Sequence, residues 1–316
     1  MIYHIAERDN DFTLRDFVKV FAPELTRRFQ TINTHQLATA TKMPVGTYLF
    51  TDMERQNPLQ IELQAQVFAQ LEAAGSCRLL NEPGATLDRL QLINTLFDKG
   101  FNSYRAFPAL GPPTDLRFPV FIRVARDHGG SHTPLLSDWD EYEEAVCRLS
   151  LASRDLNQMI VVEFADPSGE DGIYAKYCAF RVGEQIIPRA VYFGREWMQK
   201  DQDHQVEFRS KLKQDYVHDN PHEQHIRTVF ELAKVDYGRM DYGICNGKIE
   251  VWEINSNPKY VSEDGRGYSE EEQEMQNLAF RRVANALEKL DTGIGGSVPI
   301  QVTWRSPRTV MPTART

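Results

Sequence analysis

An α/β fold built from more than one lobe is the expectation for this chain, on three observations. Across residues 1–85 short apolar runs alternate with stretches of helical period, the pattern of a parallel sheet covered by helices. Beyond Phe118 the texture changes to longer strands joined by tight turns, which predicts antiparallel sheet. The length of 316 residues, at roughly 100–200 residues per domain, leaves room for two or three packed units.

The elements follow in order. Ile2–Ala6 reads as a strand. Phe12–Phe29 reads as an amphipathic helix with Leu14, Phe17, Val18, Phe21 and Leu25 inward. Pro44–Phe50 is the next strand candidate, Leu59–Ala74 a helix closed by Gly75, and Cys77–Leu80 a third strand stopped at Asn81-Glu82-Pro83-Gly84. A helix runs to Lys99, followed by the connector Gly111-Pro112-Pro113. Strands are then expected at Pro119–Ala125, Met159–Ala165, Tyr174–Val182, Gln185–Phe193, Met240–Cys245 and Lys248–Ile254. Helices are expected at Trp139–Ser150, His222–Lys234 and Ser269–Leu290. Gly183-Glu184 and Asn246-Gly247 sit where hairpin turns belong. Lys200–Asn220 is polar and of mixed charge, so it reads as a surface excursion or mobile lid. The expected division is an N-terminal α/β domain over 1–85, a central lobe over 86–165, a C-terminal lobe over 166–290 and an extended or loose tail over 291–316.

Composition narrows the function. Thirty-six Lys and Arg stand against 45 Asp and Glu, a net charge of −9, which repels phosphate backbones and anionic lipid surfaces. A nucleic-acid or membrane partner is therefore not expected, whereas a local cationic pocket can still hold a small anion. No stretch approaches the ~20 apolar residues of a membrane helix, and Met1–Asn10 has charges where a signal peptide would be apolar. A cytoplasmic protein is the simplest expectation. The four cysteines form no C-x-x-C pair and read as reduced, mostly buried thiols.

The densest cluster of unusual residues is Arg239-Met240-Asp241-Tyr242-Gly243, followed across the Asn246-Gly247 turn by Glu253-Ile254-Asn255-Ser256-Asn257-Pro258. A hairpin lays its strands side by side, and positions i and i+2 share a face. Asp241, Glu253 and Asn255 can then aim their oxygens at one spot, while Trp252 and Ile254 turn to the core. Two carboxylates and an amide oxygen are hard ligands that suit Mg²⁺.

This stretch resembles the metal-binding hairpin of the ATP-grasp superfamily, whose members mostly ligate a carboxylate to an amine. Other segments follow in the family's order. Phe118–Arg123 resembles the strand that carries a phosphate-binding cation, Arg126–His132 the glycine-rich loop, Ile160–Ala165 the strand and linker where adenine docks, and Tyr174–Val191 the next hairpin. The likeness spans roughly residues 80–290. It implies an ATP-grasp fold with the nucleotide between the central and C-terminal lobes, and an ATP- and Mg²⁺-dependent ligase that forms an amide or peptide bond through an acyl phosphate. Its substrates would be a small-molecule or amino-acid carboxylate and an amine. By the same resemblance Asp241, Glu253 and Asn255 hold two Mg²⁺ ions, or Mn²⁺ in their place. Arg239 reaches the reacting acyl group, and Arg89, Arg123, Gly129, Gly130, Ser131, Glu163, Phe164, Ala165 and Lys176 bind the nucleotide. The family usually has lysines where Arg89 and Arg123 stand, and arginine is bulkier and planar, so the nucleotide geometry is not simply inherited.

Plainer readings stand beside these. Arg239, Asp241 and Glu253 also suit a cross-strand ion-pair network, Gly129-Gly130 a simple loop, Glu163 an edge-strand charge, Arg89 a solvated helix face and Lys176 the protein surface. A phosphotransferase and a nucleotide-binding module without turnover are the alternative functions. The loop Thr51–Arg55 suits either the substrate pocket or simple turn chemistry, and Trp197 reads mainly as a packing residue. A homodimer is a common outcome for soluble enzymes. His218, His222 and His225 lack an H-E-x-x-H frame and read as exposed. No G-x-S-x-G elbow or G-x-x-x-x-G-K-[ST] loop occurs.

Overall fold

The computed structural model describes residues 1–127, 129–198, 210–260, 269–293 and 295–303. In the first lobe β1 (Ile2–Ile5), β2 (Phe29–Ile32), β4 (Thr47–Phe50) and β5 (Arg78–Leu80) form one sheet in the order β2-β1-β4-β5. Every pairing in it is parallel, as the alternation predicts. The expected single helix from Phe12 to Phe29 is divided. Helix α1 spans Phe12–Phe21, and Pro23, which has no N–H and cannot continue a helix, opens a 3₁₀ stretch over Pro23–Arg28. Phe29 thereby begins β2 instead of ending a helix. Asn33 then caps a short helix α2 (Thr34–Thr39), its side chain accepting from the Gln36 N–H while Gln36 accepts from the Asn33 N–H.

The expected strand Pro44–Phe50 is likewise two pieces, with β3 (Lys42–Pro44) pairing antiparallel to β13 (Ser297–Pro299). Part of the tail is thus stitched to the first lobe, and the Gln301 and Thr303 N–H groups donate to Gln70 and Gln66 on α3 (Pro58–Ala74). Helix α3 begins with an Asn57–Gln60 capping box and ends at Gly75, whose φ of +64° is open to glycine at no steric cost.

The second lobe contains α4 (Arg89–Asp98), the antiparallel sheet of β6 (Ala106–Pro108), β8 (Met159–Glu163) and β7 (Val120–Val124), and α5 (Trp139–Leu151). Tyr142, Ala145 and Leu149 of α5 pack on Val120, Ile122, Met159 and Val161. The third lobe is an antiparallel sheet in the order β10-β9-β11-β12, from β9 (Tyr174–Val182), β10 (Gln185–Gly194), β11 (Tyr237–Cys245) and β12 (Lys248–Asn255). Phe180, Val182 and Tyr237 share a core with Phe280, Val283 and Leu287 of α8 (Glu270–Leu290) and with Leu14 and Phe17 of α1, which ties the third lobe to the first. Met240, Tyr242 and Val251 pack instead with Leu92 and Leu96 of α4 and with α7 (Glu223–Leu232).

The polar stretch expected as an excursion or lid is a docked helix over its second half. In α6 (Ser210–Asp219), Tyr216 and Val217 are fully buried, and the Tyr216 hydroxyl donates to the Cys178 carbonyl at 2.9 Å. Residues 199–209 of that stretch lie outside the described residues, as do His128, Ile294 and 304–316. Two of the expected exposed histidines are partly buried: His222 Nδ1 lies 2.9 Å from the Tyr242 hydroxyl, and His225 packs edge-on against Phe101. Cys178 and Cys245 are buried, but Cys147 is exposed; all four thiols are free. Among the described residues no helix is long and apolar enough to cross a membrane.

Candidate functional site

The β11–β12 hairpin places Arg239 opposite Asn255 and Asp241 opposite Glu253, all four lining a cavity of 420 Å³. The register shifts after Asp241, so that Tyr242 faces Val251 and Trp252 is the extra residue of a bulge. Trp252, expected to turn into the core with Ile254, packs against the core of Ile93, Tyr104 and Val162 and also lines the cavity. Gly243 makes room for it: a Cβ there would lie 2.6 Å from Trp252 Cζ2 and 2.9 Å from Pro167 Cβ.

Both carboxylates lie against arginines. Arg239 grips Asp241 through Nε at 2.8 Å and Nη2 at 3.1 Å, a two-point contact between neighbours on one strand face. Arg89, the first residue of α4, donates to Glu253 and to the carbonyls of Val124 (3.2 Å), Ala125 (2.8 Å) and Asp127 (2.9 Å). It fastens the start of the glycine-rich loop and belongs to no solvated helix face, since its side chain is 7% exposed. Arg123 lies 3.8 Å from Glu253. Burial, and after it the neighbouring Arg89 charge, lowers the Arg123 pKa to about 10. Among the described residues the Nε atoms of Arg89 and Arg123 are buried without a hydrogen-bond partner. Lys176 is 9% exposed, so it is no surface lysine; its Nζ sits 5.2 Å from the Tyr192 ring centroid.

Glu163 lines the same cavity, yet its carboxylate is fully engaged elsewhere. It ends β8, the central strand of its sheet, so the edge-strand reading does not hold. Arg105 donates to it from Nε, Nη2 and the backbone, and Arg117 from its backbone N–H, Nε and Nη2. Burial pushes the Glu163 pKa up, but the Arg105 and Arg117 hydrogen bonds outweigh it and hold the carboxyl below its ordinary value. Neither arginine carries a local sequence mark, because the contacts bridge 58 and 46 residues.

Phe164 and Ala165 line the cavity beside Phe121, Val162 and Trp197, whose ring centroid is 4.9 Å from that of Phe121 and 5.6 Å from that of Phe164. This apolar end offers ring faces and edges on which a planar ring can pack. The Phe164 N–H is already donated to Pro119 at 2.9 Å. Of the glycine-rich loop Gly130 reaches the cavity, whereas Gly129 and Ser131 do not line it. The Ser131 hydroxyl is used within the loop, against the carbonyls of Ile122 and Thr133.

The opposite wall joins the first and third lobes, and sequence reasoning left most of it out. Thr13 Oγ1 donates to Asn257 Oδ1 at 2.5 Å, and Asn257 Nδ2 donates to the Asn10 carbonyl at 3.1 Å. Buried Asp52 accepts from Asn10 Nδ2 at 2.9 Å and from Arg55 at 3.3 Å. Asn10, Phe12, Thr13, Arg55, Asn257 and Lys259 all line the cavity. Of the loop Thr51–Arg55, which suits pocket or turn in the sequence, Arg55 reaches the cavity; the second asparagine of E-x-N-x-N is the other local signal of this wall.

Among the described residues no three His, Cys, Asp or Glu side chains converge as a metal cluster. The two carboxylates with Asn255 still form an all-oxygen set that fits a hard divalent cation. Asn255 Oδ1 accepts one backbone N–H, from Asn257 at 2.9 Å, and a second lone pair remains.

No family model and no curated protein matches this sequence. Solved structures do. A D-alanine–D-alanine ligase from Bacillus anthracis complexed with ATP superposes with a TM-score of 0.52 at 10% identity, covering 92% of this chain and 96% of that one. The ATP-grasp ligase PsnB complexed with a minimal precursor gives 0.52 at 15% identity, over 92% and 99% of the two chains. The VanG D-Ala:D-Ser ligase from Enterococcus faecalis gives 0.50 at 11% identity, over 92% and 98%. Three lobes in this order, a cavity bounded by all of them and a match along nearly the whole chain lead to one conclusion: the protein has the ATP-grasp fold.

Proposed function

We propose that this protein is an ATP- and Mg²⁺-dependent ligase that joins a carboxylate to an amine. The observation that carries the reading is the hairpin register, which sets Asp241 opposite Glu253 and Asn255 opposite Arg239 in the wall of a cavity that also holds Arg89, Arg123 and Lys176. The adenine ring packs against the apolar patch of Phe121, Phe164 and Trp197. The phosphates extend toward Arg89, Arg123 and Lys176, fixed cations that oppose the charge developing on them.

Asp241, Glu253 and Asn255 would hold the Mg²⁺ ions, which would supply charge neutralisation at the phosphates. A substrate carboxylate oxygen attacks the γ-phosphorus and ADP leaves. The amine nitrogen then attacks the acyl carbon and loses a proton, and phosphate departs with the C–O bonding pair. Arg239, in the same wall, orients the acyl group and stabilises the oxyanion of that addition. The loop around Gly129, Gly130 and Ser131 excludes water from the acyl phosphate.

The test is ADP release with Mg²⁺ and crossed panels of acids and amines, with products analysed by mass spectrometry. The expected result is ADP and phosphate formed together with an amide, and a loss of at least about 100-fold in Glu253→Gln, in the range of removing one preorganised electrostatic contact. A phosphorylated product with no amide in any pairing would replace the ligase by a phosphotransferase. Full ADP release by Glu253→Gln would remove the metal assignment.

A further inference from the structure

Resting on the metal set of the reading above, we infer that Arg239 is a gate as well as a substrate contact. Its guanidinium takes the place of a metal ion on Asp241, so the hairpin accepts a divalent cation only together with the nucleotide. Nε and Nη2 of Arg239 approach Oδ1 and Oδ2 of Asp241 at 2.8 and 3.1 Å, and each carboxylate oxygen therefore already accepts from a charged donor. The Asp241 side chain is 7% exposed, and in the hairpin register Arg239 stands opposite Asn255. A cation that uses the Asp241 oxygens must displace the guanidinium.

An ion pair of structural purpose has a different form in this molecule. Arg105 and Arg117 reach Glu163 across 58 and 46 residues, and Lys213 of α6 reaches Glu272 of α8 at 2.8 Å, so each of those pairs ties separate segments together. Arg239 and Asp241 lie two residues apart on β11, and their contact joins no two elements. Taking both charges out of water costs desolvation that this contact does not return in architecture. A carboxylate kept for a ligand, and held by a guanidinium until the ligand comes, accounts for it.

The neighbouring charges set the order. Arg239, Arg89 and Arg123 face Asp241 and Glu253, Arg89 by a hydrogen bond to Glu253 and Arg123 at 3.8 Å from it, so three guanidinium groups stand against two carboxylates. A divalent cation arriving alone meets carboxylates whose charge is already matched. A triphosphate draws Arg89 and Arg123 toward its own oxygens and reverses the local sign, and the cation that accompanies it can then take Asp241. Arg239, once displaced, is the cation left to meet the acyl group. Metal loading, nucleotide binding and the release of Arg239 are thus linked.

The experiment titrates Mn²⁺ into the full chain and reads water-proton relaxation, which is enhanced when the ion joins a slowly tumbling protein. Wild type should bind Mn²⁺ weakly alone. With a saturating non-hydrolysable ATP analogue, and after allowance for Mn²⁺ held by the analogue in solution, binding should be at least about tenfold tighter, within the usual range for linked sites. Arg239→Met leaves Asp241 a buried charge without its guanidinium, so it should bind Mn²⁺ in the absence of the analogue at least about tenfold more tightly than wild type. Arg239→Lys, whose single nitrogen cannot grip both oxygens in the same way, should fall between the two. Asp241→Asn in the Arg239→Met background should abolish the gain. Circular dichroism checks the fold, and Arg239→Lys carries the test alone if the methionine variant does not fold. Equal Mn²⁺ affinity of wild type with and without the analogue, or a gain that is absent or survives Asp241→Asn, overturns the inference. Turnover separates it from the reading on which it rests. The full binding pattern with no amide from any pairing would sink the ligase and leave the gate, while amide formation with no gain in the Arg239 variants would sink the gate and leave the ligase.

Discussion

Two glutamates near the same cavity each face a pair of arginines, and the difference between them separates scaffold from site. Glu163 is saturated: Arg105 and Arg117 deliver six N–H groups to its two oxygens, and it is 2% exposed. Glu253 is less enclosed: it accepts from Arg89, lies 3.8 Å from Arg123 and keeps 18% of its side chain exposed. The same residue types can thus make a clamp between β8 and the segments before β6 and β7, or a charge cluster left open to a ligand. Exposure to the cavity, more than charge, distinguishes the two.

Exchanging each glutamate for glutamine is the strongest way to break this comparison. Glu253→Gln should lower ADP release by at least about 100-fold yet change unfolding free energy by only about 1 kcal/mol, because Arg89 keeps its three carbonyl acceptors. Glu163→Gln should do the reverse in stability. Its amide NH₂ would meet a wall of donors, and breaking such a buried pair costs about 3–5 kcal/mol. Urea denaturation of both variants, beside ADP release, checks the contrast. If both lose stability equally, the saturated and open clusters are not different in kind.

A pH titration sharpens the point, since two buried groups outside the open cluster contribute to acid unfolding. His4 is fully buried on β1, and burial lowers its pKa to about 3, with a smaller opposing contribution from an Asn257 hydrogen bond. The unfolded chain takes up this proton near pH 6.5 while the native one stays neutral, so stability is full above about 6.5. It then falls by up to about 1.4 kcal/mol per pH unit as the pH drops toward 3. Glu163 has a native pKa held below its ordinary 4.5, so its contribution is present above 4.5 and lost below it. His4→Gln should reduce the slope between pH 6.5 and 4.5, leaving the share of His222 and His225, whose pKa values burial also lowers, and Glu163→Gln should act only below 4.5. Chemical denaturation across this range measures both.

How much of this could be read from the chain alone follows the same division. Alternation of strand and helix disclosed the parallel sheet, Asn246-Gly247 marked the hairpin, and D…E-x-N marked the oxygen set, because each is a short-range pattern. Pro23, which ends α1, and the Asn33–Gln36 capping box of α2 were equally local signals. Helix α6 was hidden because its few inward residues, Leu212, Tyr216 and Val217, sit in a polar stretch. The partners of Glu163 were not legible at all, since Arg105 and Arg117 are far from it in sequence. The first-lobe wall of the cavity, held by Asn10, Thr13 and Asp52, arises only when Asn257 folds back across more than 240 residues. The bulge at Trp252 is a backbone event with no residue signature.

That bulge supplies a test of intermediate size. Ala at position 243 would place its Cβ within 2.6 Å of Trp252 Cζ2 and 2.9 Å of Pro167 Cβ, so the indole must shift along the cavity wall. Overpacking of this kind costs about 1–3 kcal/mol. Gly243→Ala should lower stability by that amount and weaken binding of the ATP analogue, read by calorimetry, with Asp241 and Glu253 unaltered. Unchanged affinity would mean that the Trp252 face of the cavity does not touch the nucleotide.

The smallest expected effect is also the most pointed, because it asks whether Arg89 serves the phosphates or the loop. Arg89 uses two terminal nitrogens on four acceptors, three of them carbonyls of the segment leading into the glycine-rich loop. A lysine has three donors on a single nitrogen and cannot span that arc. Arg89→Lys should keep the charge opposite Glu253 but release one or two carbonyls, for a loss of about 1 kcal/mol in stability. If Arg89 serves chiefly as a phosphate cation, affinity for the ATP analogue should stay within about twofold. If its main work is to fasten the loop, affinity should fall about fivefold and residues 125–127 should exchange their amide hydrogens faster. Hydrogen exchange with and without the analogue separates the two. The second outcome is expected, since three of its four contacts point to the loop and one to Glu253.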